Sequence, residues 1–77
     1  MSNLPTMTPV KSTNIHSVGH DGSALYVRFQ GKHTAGKIYR YPTAGVEHHE
    51  ALLAADSPGR HFLDRIKFFH EGELIGE

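Results

Sequence analysis

Two tyrosines flank an arginine in Tyr39-Arg40-Tyr41, which follows Lys37-Ile38 and precedes Pro42. Side chains two apart share a face of an extended chain, so the phenol rings stand together and Arg40 projects opposite. Exposed beside Lys37, such a ring pair is a stacking platform for unpaired bases. Turned inward, the same rings are core residues whose hydroxyls reach the rim. Both arrangements stay open at the level of sequence. With the rings inward, Arg40 becomes the exposed candidate, joined by Arg28 where the strand faces align. The expected partner-binding residues are therefore Arg28, Lys37, Tyr39, Arg40 and Tyr41.

Other chemistries find less support. Histidine is the compositional outlier, at positions 16, 20, 33, 48, 49, 61 and 70. Zinc needs three or four converging donors, and no His-x3-His pair sits on an expected helix. The expectation is no metal site, with a pH response as the milder use of these residues. Gly31-Lys-His-Thr-Ala-Gly36-Lys37 resembles a phosphate-binding loop. Position 38, however, is Ile rather than a magnesium-binding hydroxyl, and the segment leads into a strand instead of a helix. Ser17 beside His16 should point to the opposite face of its strand, and neither Asp64 nor Glu50 has a carboxylate partner at motif spacing. No catalytic residue and no cofactor are expected, because so short a chain struggles to enclose a dry site.

The elements that must position these side chains follow from periodicity. Asn14–Gly19 reads as a strand, Asp21-Gly22-Ser23 as a hairpin turn, and Ala24–Gln30 as a strand with Leu25, Val27 and Phe29 on one face. Lys37–Tyr41 is a third strand, ended by Pro42. Thr43 is a candidate N-cap for a helix over 44–55, with Val46 and Leu53 inward. Ser57 caps a second helix with Pro58 at its first position and an apolar stripe through Phe62, Leu63, Ile66 and Phe69. The expected fold is α+β: a three-stranded antiparallel meander packed against two helices on one face. Residues 1–12 read as a flexible arm, 13–70 as one domain, and 71–77 as a loosely held tail in which Leu74 and Ile75 could pair.

Size and charge narrow the function. The 77 residues make one small domain with a thin core. There is no cysteine, hence no disulfide and no thiolate metal site. No run reaches the length of a membrane span and the N-terminus lacks a leader pattern, so a cytoplasmic monomer is expected. Net charge is zero, but Lys11, Arg28, Lys32, Lys37 and Arg40 face only Asp21 before residue 47. Beyond it, Arg60, Arg65 and Lys67 meet Glu47, Glu50, Asp56, Asp64, Glu71, Glu73 and Glu77. A neutral whole lacks the net attraction that drives non-specific nucleic-acid binding.

The ordered set Ile38-Tyr39-Arg40-Tyr41, Leu52-Leu53-Ala54-Ala55, Ser57, Gly59-Arg60 and Phe62, opened by Ser12-Thr13-Asn14-Ile15-His16-Ser17-Val18-Gly19, resembles the KTSC domain family over roughly 14–67. That family includes a domain at the C-terminus of some lysyl-tRNA synthetases, and the resemblance implies a small α+β domain with suspected RNA binding. The segment Ile66-Lys67-Phe68-Phe69-His70-Glu71 turns acidic where the family is commonly basic. The chain is also similar to small phage-encoded regulators that attach to host RNA polymerase. That similarity implies a non-enzymatic protein-interaction module acting on initiation, by competition with a sigma factor, or on termination. The alternative is an RNA-binding module built on the Tyr-x-Tyr strand and the basic sheet half.

Overall fold

The computed structural model describes residues 5–31 and 35–76. Five antiparallel strands lie in sequence order: β1 (Thr8–Pro9), β2 (Ile15–His20), β3 (Leu25–Gln30), β4 (Ala35–Tyr41) and β5 (Glu73–Gly76). The β2–β3 hairpin turns at Gly22, whose φ of 94° lies where a Cβ is strained. Asp21 Oδ1 accepts the backbone N–H groups of Ser23 and Ala24, both at 2.8 Å, and closes the turn. Tyr26 lies across from Arg40, and Arg28 across from Ile38. The β3 alternation therefore sends Leu25, Val27 and Phe29 to one side and Tyr26 and Arg28 to the other.

Two helices and a π-helical turn cover the first side: α1 (Val46–Ala54), α2 (Pro58–Phe62) and the turn Leu63–Lys67. Ile15, Val18, Leu25, Val27, Tyr41, Ala44, Leu52, Phe62 and Ile66 form the main core. Gly59 lets α2 start close to the loop into β2: a Cβ there would lie 3.0 Å from Ser12 Oγ, a tight contact. That hydroxyl already accepts the N–H groups of Asn14 and Ile15, so it is not free to move.

The sheet is wider than the expected three strands. Thr8 and Pro9, within the span read as an arm, pair with Val18 and Ser17. Glu73 and Leu74 pair with Arg40 and Tyr39, and Gly76 with Ile38. Both added strands are edges of two and four residues, too short to print an alternation on the sequence. The arm also changes the second side of the sheet. Met7 packs on Ala24, Tyr26 and Ile38, so Ile38 is buried, but away from the helices.

The helical layer differs in detail. Gly45, not Thr43, is the N-cap of α1, and the Thr43 hydroxyl instead lies 2.7 Å from His70 Nδ1. Val46 and Leu53 are exposed while Leu52 is fully buried, because a nine-residue helix with Leu52-Leu53 offers two competing stripes. Leu63 is exposed as well, and Phe69 is 72% exposed. The π-helical turn and the chain reversal after Ile66 end the stripe at that residue; Ile66 carbonyl accepts the N–H groups of both Phe69 and His70. His16 Nδ1 and Ser17 Oγ lie 3.0 Å apart, although alternation separates them: the register shifts between Ile15 and Ser17.

Candidate functional site

The five expected residues do not make one site. Strand β4 turns Tyr39 and Tyr41 toward the helices, and Arg28 and Arg40 lie on the opposite side. Tyr41 is 6% exposed, and burial pushes its hydroxyl up to about 12, with the Tyr39 phenol adding to the effect. It has little surface to give a partner. Tyr39 is half-buried and remains reachable. Lys37 is exposed, and strand alternation puts it on the Tyr39 side. Arg40 Nη1 donates to Glu73 Oε1 at 2.9 Å; that carboxylate, then the Tyr26 hydroxyl, raise the guanidinium above its ordinary range. Arg28 Nη1 donates to the Gly36 carbonyl at 3.2 Å. Each arginine is thus tied to the fold through one of its guanidinium nitrogens. The Gly31–Lys37 loop lies partly outside the described residues.

What β4 does build is an aromatic groove of about 460 Å³ between sheet and α2. Its walls are Asn14, Ile15, Phe29, Tyr39, Tyr41, Gly59, Phe62, Leu63 and Lys67. Phe29 meets Tyr39 and Phe62 edge-on at centroid distances of 5.6 and 5.3 Å, and Phe62 meets Tyr41 at 5.4 Å. Edge-to-face packing of this kind fixes the rings against one another. The π-helical turn brings Leu63 and Lys67 to the rim. Tyr39, Tyr41, Gly59 and Phe62, all positions that carry the family resemblance, converge here from β4 and α2.

Beyond the groove the chain turns at Phe68 and Phe69, which are 78% and 72% exposed. Lys67 Nζ lies 5.9 Å from the Phe68 ring centroid, within cation–π range. Leu74 and Ile75 on β5 are exposed too. The sequence carried a signal for the two phenylalanines: neighbours in a helical turn cannot both face one core. Leu63 and Lys67 gave no such signal, because the π-helical turn that aims them is not written in a 3.6-residue period.

Five histidines of the described residues gather in two groups. His48 has its ring centroid 5.1 Å from that of His70 and 6.3 Å from that of His61. His20 and His49 are 6.3 Å apart, and burial first, then the neighbouring His20 imidazole, pushes His49 down. Among the described residues no group of three or more His, Asp or Glu is placed to hold a metal ion. Ser17 is buried, so its hydroxyl cannot meet a substrate despite the adjoining imidazole.

Among the described residues no helix is long and apolar enough to cross a membrane. No curated protein matches the chain. The chain is similar to the crystal structure of a KTSC domain protein from Yersinia pestis: 30% identity, 92% of this chain and 97% of that one covered, TM-score 0.79. The family model described as the KTSC domain matches residues 11–68, a span that holds every wall of the groove. The matched span and the likeness to that crystal structure agree, and the chain belongs to the KTSC domain family.

Proposed function

We propose that this chain is a non-enzymatic protein-interaction module whose docking surface is the C-terminal end of the domain. The observation that carries this reading is the exposure of Phe68 and Phe69, with Leu74 and Ile75 nearby in sequence. Aromatic side chains left in water on so small a domain mark a contact surface. The groove beside them is walled by rings and backbone, with Lys67 as its one strongly basic group. That lining suits an apolar anchor better than proton transfer.

Bacterial RNA polymerase is the partner implied by the resemblance to phage-encoded regulators read from the sequence alone. Docking on it would act sterically, by competition with a sigma factor or by altering termination. The RNA-binding alternative draws support from Tyr39, half-buried in a groove rimmed by Lys67. It loses support from Arg28 and Arg40, which lie on the opposite side of the sheet from Tyr39.

Capture from bacterial lysate, with and without nuclease, tests the reading. Retention of polymerase subunits after nuclease, lost in Phe68→Ser/Phe69→Ser, is the expected result. Capture abolished by nuclease would favour RNA.

A further inference from the structure

Strand β5 lies at the edge of the sheet and offers its outer backbone groups to a further strand. The opposite edge does not: β1 has two residues, and one is Pro9, which has no N–H to donate. Leu74 stands across from Tyr39 and therefore on the groove side, so a side chain added beside Leu74 would continue that apolar wall. Ile75, exposed as well, is the extra residue where the pairing with β4 slips between Ile38 and Tyr39, and it adds a second apolar side chain at this edge.

Charge selects the occupant. Just before β5, a hollow of about 350 Å³ is lined by Pro42, Thr43, Glu71, Gly72 and Glu73. Glu71 and Glu73 are exposed, and Glu73 shares only one carboxylate oxygen with Arg40. Residues 68–77 contain three glutamates and neither lysine nor arginine. Two copies paired edge to edge would bring like charges together, which disfavours self-association. A nucleic-acid backbone is disfavoured for the same reason.

We infer that β5 accepts an extended segment of a protein partner as a sixth strand, with apolar residues alternating along it and a lysine or arginine entering the Glu71–Glu73 hollow. Backbone pairing supplies affinity in this mode and side-chain placement supplies selectivity. The inference rests on the interaction-module reading and names its partner's chemistry.

The test uses the full chain, isotopically labelled, and two short synthetic peptides alternating valine and threonine. One carries lysine at both ends, the other glutamate. The lysine peptide should shift the amide signals of Glu73–Gly76, slow their hydrogen exchange, and bind about tenfold tighter than the glutamate peptide. Glu71→Lys, an exposed substitution whose folding is checked by circular dichroism, should reverse that preference. Equal affinity for both peptides, shifts centred away from β5, or an unchanged preference in folded Glu71→Lys would overturn the inference. Failure here with Phe68- and Phe69-dependent capture intact rejects the edge site alone. Peptide binding at β5 with capture unaffected by the phenylalanines rejects the aromatic docking surface instead.

Discussion

Both ring nitrogens of His20 have partners, and the partners determine where its proton sits. Nε2 lies 3.0 Å from the Ala44 carbonyl, which can only accept, while the Gly22 N–H donates to Nδ1 at 2.9 Å. The ring is therefore the neutral Nε2–H tautomer, clasping the hairpin turn to the loop before α1. Imidazole nitrogen chemical shifts should report that tautomer near neutral pH; the Nδ1–H form would refute the contact. Asp21 next to it is held below the usual carboxylate range, first by the Ala24 and Ser23 amides and then by the Tyr26 hydroxyl at 3.1 Å. Its folded state favours the ionised form, so its contribution is present above the ordinary Asp range and is lost as pH falls through the depressed value. Asp21→Asn should abolish this acid-side loss, and Asp21→Ala should cost about 1 kcal/mol in denaturant unfolding. Tyr41 behaves oppositely. Its folded value of about 12 exceeds the ordinary value of 10, so stability holds below pH 10 and declines as pH climbs toward 12. Ultraviolet titration should show a late phenol that Tyr41→Phe removes, together with the decline.

At the scale of elements, the edge strands are held by close backbone approaches that glycines permit. A Cβ on Gly19 would meet the Thr6 carbonyl oxygen at 2.7 Å and Met7 Sδ at 2.9 Å. Gly19→Ala should therefore lift the arm from the second side of the sheet, raising amide exchange at Thr8 and lowering Tm. Gly72→Ala would drive a Cβ into the Tyr41 ring and disturb the start of β5. These edges mark where the sequence becomes illegible. The three central strands and two helices were readable, since Leu25-x-Val27-x-Phe29 and Ser57-Pro58 each express a period or a cap locally. Thr8–Pro9 and Glu73–Gly76 become strands only because β2 and β4 present unpaired edges to them. The inward turn of Tyr39 and Tyr41 was likewise undecided until the helices were placed above them. The choice of Leu52 over Leu53 shows the same limit: one residue of rotation in a short helix is set by packing. Leu52→Ala should cost ~2–5 kcal/mol, and Leu53→Ala far less, because only the first opens a cavity.

For the whole molecule, the two charged halves of the sequence do not remain apart. Acidic β5 pairs with basic β4, and Arg40 meets Glu73 across the join. The fold thus ties the acidic C-terminal strand to the basic strand β4 through one ion pair. The His48, His61 and His70 rings draw together α1, α2 and the turn before β5. Burial depresses His49, so its neutral form is favoured on folding and stability falls as pH drops through that lowered value. Tm should accordingly be lower at pH 5.5 than at pH 8, and His49→Gln should flatten part of that slope. An equal Tm at both values would reject the account of the imidazoles.

The central claim is that this domain works by presenting an aromatic surface to a protein. Its most direct measurement is binding of purified bacterial RNA polymerase to the full chain and to folded Phe68→Ser/Phe69→Ser, in nuclease-treated solution. The account predicts saturable binding by the native chain that weakens at least about tenfold in the variant, as expected for removed aromatic anchors. Equal binding by both chains, or none by either at micromolar protein, would contradict it.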